Sequence, residues 1–234
     1  MAKRLLYLNV LAILGVVLNH SASWGFISMF WWTDRYLPVS VPNFDQMGSF
    51  SYYALRFIEQ LVAYSVPAFL FVSGYFIAFA VGRNNALEGW RVAKTRIIFL
   101  LIPYLIWSLV MFAFDYIFGV RYSPLTYVKL QLIGGAAPPY YFIPLLIQLL
   151  ILAPLFIFAA RKNWVLLIII TAIIQLIVQS IRYPTLLGTA SPFLLNITNM
   201  TPSWFFASKM FWFVLGIVFC IHLVDFKHRI TRYR

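Results

Sequence analysis

Charge is what this 234-residue chain most lacks. Only 10% of its residues are charged and six are acidic, against 63% hydrophobic and a mean hydropathy of +0.87. No soluble domain of this size keeps so much apolar surface from water, so a soluble fold is excluded. Cysteine is nearly absent as well: Cys220 stands alone, which rules out an intrachain disulfide. The N-terminal apolar run has no A-x-A cleavage site and further runs follow it, so it does not read as a cleavable signal peptide. There are no repeated halves with matching broken helices, which counts against a small-molecule transporter. A soluble basic face with base-stacking aromatics is missing too, and with it a nucleic-acid partner. No metal site is expected.

What is present is long apolar runs. Six are long enough to cross a bilayer, at about 5–24, 57–81, 97–120, 140–160, 164–181 and 204–224. The expectation is an all-α polytopic transmembrane helix bundle, one integral-membrane domain over residues 1–234 with the lipid bilayer as its first partner. With the N-terminus inside, twelve Lys and Arg fall on the inner side and six on the outer. That bias predicts both termini cytoplasmic and a cell-membrane location, specifically the bacterial inner membrane. Topology and anionic lipid then account for the net charge of +12. Trp24, Trp31, Trp32, Tyr140, Tyr141, Trp164 and Trp204 sit near run ends, as an interfacial belt does. Residues 25–56, 121–139 and 182–203 read as outer loops, and 82–96 as the one sizeable inner loop.

Against this background the few polar residues stand out. His20 closes the run LLYLNVLAILGVVLNH, an ionisable group placed deep in an apolar helix at an energetic cost. Asn9 falls within about 20° of it on a helix wheel, so Asn9, Ile13, Val16 and His20 form one stripe. The stripe reads equally as interhelical glue or as a functional face. Arg56 and Glu59 are spaced to pair with each other on a helix face, and Glu59 could instead orient His20. Asp115 and Lys209 invite the same two readings. Ser73-Gly74 would let another backbone or a thin substrate come close. Arg91, Lys94 and Arg96 make the inner loop basic, as a positive-inside anchor does. No Ser or Cys nucleophile with an adjacent base is marked.

Taken in order, these segments resemble the integral-membrane acyltransferase family 3, bacterial enzymes that O-acylate peptidoglycan, lipopolysaccharide and exopolysaccharides. The resemblance rests on LNVLAILGVVLNH, VPAFLFVSGYFIA, RIIFLLIPYLIWSL, YYFIPLLIQLLILAPLF and FWFVLGIVF, and covers nearly the whole chain. It implies transfer of an acyl group, commonly acetyl, from an acyl-CoA co-substrate to a hydroxyl of a cell-envelope or exported polysaccharide, the acceptor being a carbohydrate or lipid-linked sugar. No tightly bound cofactor is implied. His20 matches the family's essential first-span histidine and Arg96 its basic residue at the third span. By implication His20 is the general base, and Arg91, Lys94 and Arg96 hold the CoA head. Asn9, Glu59, Ser73 and Gly74 then have supporting or substrate-binding roles. The chain departs from the family at Asn9, usually arginine, and at Tyr140-Tyr141-Phe142, where a histidine is usual. It also has six spans where about ten are common, which implies either a short or truncated member or further helices supplied by a homo-oligomer or a partner chain. The departures keep a second expectation open: a non-catalytic membrane component of polysaccharide export or assembly.

Overall fold

The computed structural model describes residues 2–32, 40–82, 86–189 and 191–223. These residues form eight α-helices and no strand: α1 (Ala2–Trp31), α2 (Phe50–Leu61), α3 (Ser65–Val81), α4 (Ala86–Ile117), α5 (Pro124–Ile133), α6 (Phe142–Leu186), α7 (Pro192–Met200) and α8 (Met210–Ile221). Four stretches among them are long and apolar enough to cross a membrane: Arg4–Trp31, Phe50–Val81, Glu88–Ile117 and Pro138–Leu186. The all-α membrane architecture expected from composition is therefore present. The chain divides into two compact units, Met1–Val72 and Ser73–Arg234, with the division inside α3.

In the first unit α1 packs antiparallel to α2. A Cβ at Gly25 would meet Leu55 at 2.9 Å, and one at Gly15 would overlap the Ser65 hydroxyl, so both glycines let the chains approach closely. The helices run further than their apolar composition suggests. Residues 25–31 and 50–56, expected in a loop, are helical because Phe26, Phe30 and Tyr52 pack as one aromatic cluster. Arg56 caps that cluster 4.8 Å above the Phe26 ring. Ser49 starts α2 by accepting the Tyr52 N–H at 3.2 Å. The expected second span is also interrupted: residues 62–64 form a turn between α2 and α3, and the Tyr64 hydroxyl donates to the Leu11 carbonyl at 3.3 Å. Irregular backbone at membrane depth has to find such internal partners.

The second unit is built around α6. A straight helix would put Gln148 and Gln175 about 40 Å apart. Yet Gln148 accepts from the Phe206 N–H at 3.3 Å and Gln175 from the Phe211 N–H at 3.1 Å. The backbone between Phe206 and Phe211 reaches at most about 18 Å. Therefore α6 folds back on itself. The turn is at Asn163 (φ −155°, ψ 89°), whose side chain accepts the Leu166 N–H at 3.1 Å and caps the second arm. The two arms, 142–162 and 164–186, fall on the fourth and fifth apolar runs, and α8 packs on α6, its Phe211 N–H held by Gln175.

Two sequence expectations need correction. Residues 86–96 are not a loop but the first turns of α4. Ala, Leu, Glu, Arg and Lys favour the helix there, and Glu88 pairs with Arg91 across one turn at 3.7 Å. Gly89 then brings α4 against Pro154, where a Cβ would meet the ring at 3.4 Å. The sixth expected span, 204–224, holds a helix of only 12 residues, α8. Its first part is instead an irregular segment with a 3-10 turn at Phe206–Ser208, held by side chains of α6.

Candidate functional site

Within the first unit, α1 buries Leu5, Ala12, Gly15, Ala22 and Phe30. The stripe of Asn9, Ile13, Val16 and His20 lies about a quarter turn round from that face. It is a flank: Asn9, Val16 and His20 are half-buried and Ile13 is exposed. Among the described residues neither Asn9 nor His20 has a side-chain hydrogen bond, so neither acts as interhelical glue there. With α1 continuing to Trp31, His20 is about 16 Å from the helix end and nearer its middle than the sequence run suggests. Antiparallel pairing of Gly15 with Val62 and of Gly25 with Leu55 puts His20 level with the last turns of α2.

Glu59 sits at that level but is engaged elsewhere. Its carboxylate accepts from Arg56 at 2.8 Å, while the same guanidinium reaches the Tyr52 hydroxyl at 3.3 Å. Arg56 and Glu59 thus pair with each other on one helix face, and the structure shows no bond from Glu59 to His20. Beyond His20, towards the α1 C-terminus, a cleft of about 490 Å³ opens between α1 and α2. Gly25, Ser28, Gln46, Phe50 and Ser51 line it, so it offers hydroxyls, an amide and an aromatic ring.

Within the second unit the three basic candidates part company. Arg91 and Lys94 are exposed on α4, whereas Arg96 is half-buried and donates to the Phe76 carbonyl of α3 at 3.1 Å. With Gly89 against Pro154 and Tyr104 facing Tyr140 at 6.0 Å, α4 runs antiparallel to the first arm of α6. Arg96 lies between those two levels, about three turns into α4. Gly74 faces the α8 backbone, and a Cβ there would overlap the Phe213 carbonyl. Of the two occupants expected beside Ser73-Gly74, the structure supplies a backbone. Lys209 forms no ion pair with Asp115 among the described residues; it follows Ser208, whose carbonyl is held by Gln179, one turn before Arg182 on α6.

A polar network that the sequence reading overlooked holds this unit together. Gln148 donates to the Trp204 carbonyl at 2.9 Å as well as accepting from Phe206, Gln175 accepts from Phe211, and Gln179 donates to the Ser208 carbonyl at 3.5 Å. The signal was available: glutamines inside apolar spans are as costly as His20 unless partnered.

Residues 5–234 match the Acyl_transf_3 family, described as an acyltransferase domain. The chain belongs to acyltransferase family 3. No curated protein and no solved structure matches it. The family is one of membrane acyltransferases. Among the described residues the first unit offers an unbonded imidazole one turn and more below a polar cleft, and α4 in the second offers the half-buried Arg96 with the exposed Arg91 and Lys94.

Proposed function

We propose that the chain is a membrane O-acyltransferase that moves an acyl group, acetyl in the simplest case, from acyl-CoA to a hydroxyl of a cell-envelope or exported polysaccharide. The observation that carries this reading is His20: a half-buried imidazole inside an apolar helix, with no hydrogen-bond partner among the described residues. A histidine retained at such a cost without a structural bond is available for proton transfer. The neutral imidazole takes the proton of the acceptor hydroxyl as its oxygen attacks the thioester carbonyl. The carbon–sulfur bond then breaks, and the CoA thiolate regains that proton from the imidazolium. The products are an ester and free CoA, and the imidazole returns to its neutral form.

The cleft lined by Ser28, Gln46, Phe50 and Ser51 suits a sugar, which is held by hydroxyl and amide hydrogen bonds and by an apolar ring face. Arg91 and Lys94, exposed on α4, suit the phosphates of CoA, and the inward Arg96 suits a group reaching between helices. The second reading, a non-catalytic component of polysaccharide export, draws on Asn9, which leaves the stripe beside His20 without a fixed charge. Acetyl content and export of the polymer separate the two. His20→Ala is expected to abolish acylation and leave export intact; surviving acylation contradicts the transferase reading, and failed export favours the other.

A further inference from the structure

Two cations meet at one end of the second unit with no described carboxylate to neutralise them. Arg182 lies in the last turns of α6, and Lys209 is the residue on which α8 begins. The Arg182 guanidinium donates to the Thr201 carbonyl. Gln179, three residues earlier and on the same face, donates to the Ser208 carbonyl. The irregular 201–209 segment is therefore drawn across the end of the second arm, bonded at Thr201 by Arg182 itself and at Ser208, next to Lys209, by Gln179. Both side chains are half-buried. Neither forms an ion pair with a described carboxylate.

Two half-buried cations on one end of the unit repel each other, and an anion that completes the cluster relieves this. The α8 terminus adds to the positive potential. It has no side-chain cap, and of its first N–H groups the one at Phe211 is taken, by Gln175. A fork of guanidinium donors beside an ammonium suits a tetrahedral oxyanion, whose several oxygens both can reach. The cluster also lies at the end of membrane-long helical arms, the depth at which lipid phosphates sit. We infer that Arg182 and Lys209 form a binding site for the phosphate of a lipid-borne ligand. Two sources supply that chemistry: the headgroup of an anionic phospholipid, and the phosphate linking a sugar to its lipid carrier.

Binding alone tests this, so the result stands apart from whether His20 catalyses transfer. The full chain is placed in phosphatidylcholine nanodiscs and offered prenyl phosphate, prenyl alcohol or phosphatidylglycerol, with retention read by native mass spectrometry. Prenyl phosphate is expected to be retained and prenyl alcohol not, a comparison that needs no variant. Lys209→Met is expected to weaken retention about tenfold, the scale of one lost charge-assisted contact, and Lys209→Arg to keep most of it. Preference for prenyl phosphate over phosphatidylglycerol assigns the site to a lipid-linked sugar; equal retention of both assigns it to a phospholipid headgroup. Equal retention of prenyl phosphate and prenyl alcohol, or a Lys209→Met variant that binds prenyl phosphate like the parent, overturns the inference.

Discussion

The glutamines of α6 and the polar stripe of α1 stand in opposite ways to their surroundings. In Ser73–Arg234 the glutamines on α6 are all committed: Gln148, Gln175 and Gln179 each bond the backbone of the 201–211 stretch. In Met1–Val72 the two polar residues of the α1 stripe, Asn9 and His20, bond nothing among the described residues. Both arrangements carry the cost of placing a polar group in an apolar helix. Only the first recovers it in architecture. The bonded glutamines thus speak for folding, and His20, with no such bond among the described residues, is the group left for chemistry.

That contrast is open to direct attack. The largest effect on folding is expected at Gly74, where any side chain would overlap the Phe213 carbonyl. Gly74→Val should destabilise the second unit by on the order of 3 kcal/mol and abolish the folded protein in detergent. A variant that stays folded and active would show that α3 and α8 can separate. Next comes Gln148→Leu, which strands the Phe206 N–H and the Trp204 carbonyl and should cost about 1–3 kcal/mol in unfolding measurements. Activity per folded molecule should change little; a loss of activity without a loss of stability would move Gln148 from architecture to chemistry. Least is expected from Glu59→Gln. It removes a partly exposed i,i+3 pair worth about 0.2–0.5 kcal/mol and leaves the Arg56 stack over Phe26 in place. If transfer instead falls as far as it does without His20, Glu59 orients the imidazole and the contrast needs redrawing.

Much of the architecture was legible in the apolar runs, because length and hydropathy are properties of the chain itself. The hairpin in α6 was readable as two spans, since Arg161, Lys162 and Asn163 interrupt the run and Asn163 is a good N-cap. The turn at 62–64 was not readable: the sequence Leu61-Val62-Ala63-Tyr64 carries no glycine or proline, and what holds the break is Tyr64 reaching Leu11 on another helix. Hydropathy places the start of α4 too late because it measures lipid contact, whereas helix propensity and the Glu88–Arg91 pair carry that helix past the apolar stretch. At the site, the wheel put Asn9 and His20 on one face correctly. It could not say that this face is a flank, because burial depends on where α2 lies. The separation of Arg96 from Arg91 and Lys94 follows from the same helical geometry once the loop is known to be helix.

The central claim is that His20 is a chemical rather than a structural residue. Its most direct test is acyl transfer by the purified His20→Ala protein, measured together with its thermal unfolding. Loss of a general base should lower the rate about 10²–10⁴-fold, and the unfolding temperature should stay near that of the parent because no hydrogen bond is removed. Undiminished transfer, or a loss of activity that tracks unfolding, would contradict it.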